Sequence, residues 1–332
     1  MHAGENAMHS IKSRIAAAAI ALLGLAAFSI APSQAQNWPT RTVKFIVPFG
    51  PGAGADIGAR LFAEKLTAKW GQPVVIENRP GGDSIVAIQA FLGANDDHTL
   101  LFGPSGNFTV HPFNYSKLSY NPNDLIPIVR ASNTILALAV KKDAPYNTMK
   151  EFTEAARANP GKFNSGLVQG ITEFTFWGYC HVEKLDIKQV PYRDINVAPV
   201  DLGEGRIQVV MSSFAIVQPQ IQAGRIKPLI VNGKTRAPAV PDIPTAREAG
   251  YPSLEVEGLV GLFGLKTMPD ALKEKIAADF RAVAADGSIG ERLKATGQVI
   301  NIGGPKEFAD AINEQRANVA AVAKAINFKP KN

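Results

Sequence analysis

Cysteine is almost absent. With Cys180 as the only one among 332 residues, the chain can form no internal disulfide and has to be held together by its apolar cores. That thiol has no clear histidine partner, and His181 cannot serve as one merely through adjacency, so Cys180 reads as a small packed residue. HExxH, GxSxG and any His/Cys cluster are also missing, which removes the usual arrangements for metal-assisted or nucleophilic catalysis. No catalytic residue, metal site or cofactor is expected. Basic runs and interleaved aromatics are lacking too, so despite a formal charge of +6 nothing supports nucleic-acid binding. A mild excess of positive charge is compatible with steering small anions.

One long apolar run stands out, at the N-terminus. Lys12 and Arg14 precede Ile15 to Ala31, and Ser33-Gln34-Ala35 puts small residues where a signal peptidase reads. Cleavage is expected after Ala35, with export to the periplasm. The run is short for a membrane span and ends in Pro32 and Ser33; a retained anchor is the alternative, and Met8 is a second candidate start. Removing 35 of 332 residues leaves 297, enough for two ordinary domains, and a formal charge of +5 once Lys12, Arg14 and Glu5 are gone.

What the chain does contain is a repeated design, clearest at Val43 to Arg60. Val43, Phe45, Ile46 and Val47 form a short apolar run of strand formers; Gly50, Pro51, Gly52 and Gly54 break it; Ile57 and Leu61 then recur at helical spacing. Small residues let a ligand approach such a turn, and the N–H groups of a helix start suit an anion, a carboxylate or a phosphate. Gly50-x-Gly52-x-x-Ala55 with Glu77 closing the next strand also fits the relaxed dinucleotide fingerprint. Against it, Asp56 puts a negative charge beside any pyrophosphate. In the plainest reading Asp56 caps the helix and the glycines make a tight turn.

Residues 73–78 and 98–107 add two more strands ending in Gly or Ser turns, which argues for a parallel sheet with helices on its faces and a ligand at the strand carboxyl ends. Residues 124–143 read as extended chain crossing to a second unit. There Thr148 caps a helix, and 162–174 repeats the passage from strand through glycine turn to helix. From Leu254 a strand-like segment returns to the first unit, followed by two amphipathic helices over 270–286 and 305–326. The expected division is domain I, 36–131 with 254–332, and domain II, 132–253. Two such units facing each other make a cleft, the geometry of a hinged binding protein. An exported α/β enzyme or a nucleotide-binding protein using the same turn is the alternative.

Several ordered motifs resemble the extracytoplasmic solute receptors of tripartite tricarboxylate transporters, the Bug-type receptors. These are Pro48-Phe49-x-x-Gly52-x-x-x-Asp56-x-x-x-Arg60, Gly71-Gln72-Pro73-Val74-Val75-x-Glu77-Asn78-Arg79-Pro80-Gly81 and Val190-Pro191-Tyr192. The likeness continues through Asn159-Pro160-Gly161-Lys162, Ala223-Gly224-Arg225-Ile226, Pro241-Asp242-Ile243-Pro244-Thr245 and Glu248-Ala249-Gly250-Tyr251-Pro252. The resemblance implies an α/β, two-domain periplasmic binding protein (type II-like, Venus flytrap), each domain a mainly parallel sheet flanked by helices. It implies capture of a small organic carboxylate (dicarboxylate, aromatic acid or amino acid) and delivery to membrane transporter subunits, without catalysis; a monomer is expected. By position, Phe49 to Ala55 and Leu167 to Glu173 would hold the carboxylate through backbone N–H groups, hydroxyls and bridging water.

The ligand-binding residues expected on this basis are Phe49, Gly50, Gly52, Ala53, Asp83, Ser84 and Ser105 from the first domain, and Gly170, Ile171, Thr172, Phe176, Asp194 and Phe214 from the second. Asp83 and Asp194 depart from the residues usual in the family, as does Ile171. If Asp83, Asp194 and Glu173 face the cleft, the ligand carries a cationic or hydrogen-donating end; otherwise they cap helices or face solvent. Phe49, Phe108, Phe176 and Phe214 are candidates for an aromatic subsite, with at least two of them expected in the core.

Overall fold

Val43, Phe45, Ile46 and Val47 are buried and form strand β1 (Val43–Val47), and Leu61, Phe62 and Leu66 line the inner face of helix α1 (Gly54–Trp70). The computed structural model describes residues 38–167, 170–192 and 195–330, so the expected leader with its cut after Ala35, and Asp194 with Arg193, lie outside the described residues. The described residues from Arg41 onward make up one unit. Among the described residues no helix is long and apolar enough to cross a membrane.

The opening design repeats through β2 (Val74–Asn78), α2 (Ile85–Ala94), β3 (Thr99–Pro104) and α3 (Gly106–Asn114). Because side chains alternate across a strand, this sheet has two packed faces. Phe45 and Phe102 stack with Phe62 and Phe280 on one, at centroid separations of 4.8 to 6.4 Å. Ile46 and Leu101 pack with Ile88, Phe91, Phe108, Phe263 and Phe308 on the other.

After β4 (Leu125–Thr134) a single residue, Ile135, leads into β5 (Leu136–Lys141) of a second sheet. That sheet is built with α4 (Met149–Ala158), β6 (Phe163–Leu167), α5 (Ile171–Glu183), β7 (Ile187–Pro191), α6 (Ala198–Gly203), β8 (Val209–Ser213), α7 (Phe214–Gln222) and β9 (Ile226–Val231). The chain then returns as β10 (Gly258–Leu265), α8 (Asp270–Ala284), α9 (Ser288–Lys294), β11 (Gln298–Gly303) and α10 (Pro305–Ala325). Strand orders are β11-β4-β10-β3-β1-β2 and β7-β6-β8-β5-β9.

Both sheets are mixed, where the sequence suggests mainly parallel ones. β1 runs parallel to β2 and β3, and β6 parallel to β7 and β8, since helices carry the chain back between them. β5, β10 and β11 pair antiparallel with their neighbours. A strand that enters a sheet from the edge where the parallel strands finish can only run against them. β9 lies two strands from β8 and shares its direction.

Candidate functional site

Because β5 starts where β4 ends, the carboxyl ends of β1, β2 and β3 and those of β6, β7 and β8 face each other, and two close approaches mark where they meet. Gly106 opens α3 and Ile171 opens α5. A β-carbon on Gly106 would stand 3.0 Å from Ile171 Cγ2. On the other side, Gly297 (φ 66°) precedes β11, and a β-carbon there would lie 2.9 Å from the Ala215 backbone nitrogen in α7. Ile135 ties this corner: its N–H donates to Gly297 O (2.8 Å) and its carbonyl accepts from Phe214 N (2.8 Å).

The turn after β1 is braced from within. Asp56 is buried, and its carboxylate accepts from Gly52 N (2.8 Å), Asn78 Nδ2 (2.8 Å) and Arg60 Nε (3.1 Å). Burial pushes its pKa up, but the bonds from Arg60, Asn78 and Gly52 outweigh that and hold it below the usual carboxylate range. Asn78 also donates to Phe49 O (2.8 Å), and Gln298 Nε2 reaches Gly54 O (2.7 Å) while its Oε1 accepts from Ser132 Oγ (2.9 Å). Asp56 is therefore not the capping residue. The N-cap is Ala53, which has no side-chain cap, and the first helical bond runs from Ile57 N to Ala53 O. The amides of Gly54, Ala55 and Asp56 are left without a helical acceptor.

Helix α5 starts in the same way. Gly170 (φ 141°) is its N-cap without a side-chain bond, and Phe174 N donates to Gly170 O at 3.3 Å. The amides of Ile171, Thr172 and Glu173 have no helical acceptor either. Contrast α4, whose start carries a full capping box: Thr148 Oγ1 accepts from Glu151 N, and the Glu151 carboxylate from Thr148 N. Uncapped helix starts of this kind suit an anion through their dipole and free donors.

The remaining expected site residues fall into distinct places. Phe49, Gly50, Ala53, Ile171 and Thr172 are partly exposed at the two turns, and Gly52 is exposed, though its N–H is already given to Asp56. Ser105 is fully buried and its hydroxyl donates to Gln315 Oε1 (2.9 Å), which also accepts from Thr109. Ser84 is buried and Asp83 half-buried, with Asp83 Oδ2 accepting from His111 Nε2 at 3.1 Å. Phe176 packs against Tyr179 in the core of the second sheet; Phe214 lies in the cluster on its other face with Val217, and Phe108 under the first sheet with Phe263. Of the four phenylalanines weighed for an aromatic subsite, only Phe49 is open to solvent. Glu173 is buried and takes a bond from Gln189 Nε2 (2.6 Å). Glu77, the acid of the dinucleotide reading, is paired with Lys44 and Arg79, each at 2.6 Å.

Two positioning residues escaped the sequence reading. Gln315 sits in the buried stripe Phe308, Ile312, Gln315, Val319, Ala323 of α10, and a glutamine inside an apolar stripe is a readable signal. Gln298 belongs to β11, a strand too irregular in its apolar pattern to be read. A separate cavity of about 500 Å3 lies between α5 and α10, lined by Phe174, Val182, Val319 and Val322 among others, and shares only Ile171 with the expected site residues. Among the described residues no cluster of His, Cys, Asp and Glu is arranged to hold a metal ion.

Comparison with known proteins gives a consistent picture. Residues 58–328 match the family described as the tripartite tricarboxylate transporter family receptor. A UPF0065 protein encoded in the tcbD–tcbE intergenic region of a Pseudomonas species is 31% identical over 306 residues, covering 89% of this chain and 90% of that one. Among solved structures, Rpa4515 of Rhodopseudomonas palustris with adipate superposes with a TM-score of 0.76 at 26% identity, covering 89% of this chain and all of that one. MatC of the same organism, with bound malate, gives 0.71 at 26% identity, covering 86% of this chain and 99% of that one.

Proposed function

This chain belongs to the tripartite tricarboxylate transporter receptor family, and from that premise we propose that it captures a small organic carboxylate between its two sheets and hands it to membrane transporter subunits. The observation that carries this reading is the pair of uncapped helix starts, Gly54 to Asp56 and Ile171 to Glu173, at facing strand ends. Their amides supply donors without a fixed cation, and Thr172 adds a hydroxyl. Two neighbours of the same fold hold adipate and malate, which supports a carboxylate as cargo. The family is one of receptors, and no step of chemistry is assigned to the site.

On this reading the leader over residues 1–35 is cleaved after Ala35 and the mature protein works in the periplasm as a monomer. Domain I (36–131 with 254–332) and domain II (132–253) close over the ligand, because a ligand touching both shifts the equilibrium only by the contacts it makes in the closed state. Phe49, Gly50 and Ala53 from one side and Gly170, Ile171 and Thr172 from the other form the contact set. The Asp56 bond leaves Gly52 a shaping role.

A thermal-shift screen of the purified protein against aliphatic dicarboxylates, aromatic acids and amino acids tests the proposal, with NAD as the nucleotide control. A ligand at about a hundred times its Kd stabilises by roughly 2.7 kcal/mol, a shift of a few degrees for a chain of this size. A shift with NAD and with none of the acids would sink the receptor reading.

A further inference from the structure

We propose that Asp83 selects a ligand that carries an amine as well as a carboxylate; the inference rests on the receptor reading above. Asp83 lies in the connection from β2 to α2, beside the first glycine turn. Arg79 N donates to Val47 O (2.8 Å) and Asn78 Nδ2 to Phe49 O (2.8 Å), which fastens the start of the connection to the end of β1. The next residues run through positive φ: Gly81 at 114°, Gly82 at 56°, Asp83 at 52° and Ser84 at 69°. Two of these are not glycine and occupy the left-handed region at a cost that glycine would avoid. That conformation brings the Asp83 carboxylate over helix α3.

There a chain of donors converges on one of its oxygens. Tyr120 Oη lies 2.6 Å from His111 Nδ1, and His111 Nε2 lies 3.1 Å from Asp83 Oδ2. Tyr115 Oη donates to the same oxygen at 3.4 Å. Burial first, and the Asp83 charge second, push both phenols up, so each keeps its proton and donates. His111, wholly buried, stands between the Tyr120 hydroxyl at Nδ1 and the Asp83 carboxylate at Nε2. The arrangement holds the carboxylate by one of its two oxygens. Among the described residues no lysine or arginine pairs with Asp83, its one ion-pair geometry being with His111.

Oδ2 is thus occupied, while Oδ1 has no partner among the described residues and the side chain is 22% exposed. In this proposal Oδ1, carried on a connection fastened to the end of β1, is the acceptor offered to the ligand that the two helix starts hold by its carboxylate. A second carboxylate on the ligand would be repelled, whereas an ammonium would complete the site with a charge-assisted hydrogen bond. The ligand class that follows is amino acids and other amine-bearing acids.

Titration calorimetry on matched acids that differ only in one amine tests this: aspartate with succinate, glutamate with glutarate, phenylalanine with 3-phenylpropanoate. For at least one pair the amine-bearing member is expected to bind about tenfold tighter or more, the worth of one charge-assisted hydrogen bond. Asp83→Asn, which keeps an acceptor for His111, should erase most of that ratio while leaving the amine-free partner bound as before or better. Asp83→Gly, which relieves the positive φ, should behave alike and guards against a folding defect. Equal or tighter binding of the amine-free acids, or a preference that survives both substitutions, overturns the inference and leaves the receptor reading standing. Binding of no acid in any pair overturns both.

Discussion

Ile171, the first residue of α5, stands so close to Gly106, the first residue of α3, that a β-carbon on the glycine would lie 3.0 Å from Ile171 Cγ2 and 3.3 Å from its Cβ. This contact sets how near the starts of α3 and α5 come. Gly106→Val is expected to push them apart and weaken binding of whichever acid the thermal screen identifies by about tenfold or more, at an overpacking cost of about 1–3 kcal/mol in stability. Adding Ile171→Ala should recover part of the affinity. Calorimetry on the single and double variants checks it, and unchanged affinity in Gly106→Val would mean that the spacing of these two helix starts does not bear on binding.

Asp56 gives a pH signature. Its pKa in the folded chain lies below the ordinary 3.8, so its stabilising effect is full above that value and is lost as pH falls through the folded-state pKa. Asp56→Asn should cost about 1–2 kcal/mol at pH 7, in the range for charged hydrogen bonds to a buried group. The gap between wild type and variant should narrow below about pH 4. Urea melts at pH 7, 5, 4 and 3 measure it; a gap constant across that series would show that the Asp56 charge contributes nothing.

Gln298 acts at a distance from any ligand. Gln298→Leu removes a second bond to the Gly54 carbonyl, which keeps its helical donor, and leaves the Ser132 hydroxyl without its partner, which should destabilise by about 1–2 kcal/mol. Loosening Gly54 should also weaken acid binding, whereas Thr148→Ala, at the α4 cap, should lower stability by about 1 kcal/mol and leave binding unchanged. Thermal melts and calorimetry on the two variants separate the effects.

Gly178 sits where α5 crosses α10, and a β-carbon there would meet Val322 Cγ2 at 2.8 Å. Two effects oppose each other in Gly178→Ala. Helix propensity favours alanine by about 1 kcal/mol, while overpacking against a stiff β-branched side chain costs about 1–3 kcal/mol. Net destabilisation is expected, and Val322→Ala in the same chain should reverse it to a gain. A stabilised single variant would mean that the crossing gives way easily.

Burial pushes the Cys180 thiol up to about 12, so almost no thiolate exists at neutral pH. A thiol reagent at pH 8 should label the folded protein far more slowly than the urea-unfolded chain. Comparable rates in the two states would place Cys180 in contact with solvent.

The amino-acid sequence by itself determined the repeating strand, glycine turn and helix, because apolar runs of period two or 3.6 and Gly/Pro punctuation act within a few residues. The cap at Thr148 was legible for the same reason. It also carried the family through ordered motifs and placed glycine turns ahead of the starts of α1 and α5. The tertiary structure decided what no local pattern encodes: that Asp56 turns back to hold Gly52 instead of capping its helix, that Ser105 is consumed by Gln315 some 210 residues away, and that Phe108, Phe176 and Phe214 fill cores. It also decided that the sheets are mixed. A strand's direction depends on which edge the chain enters, and a side chain's duty on partners brought to it from the far end of the sequence, and both are set only when the two sheets pack.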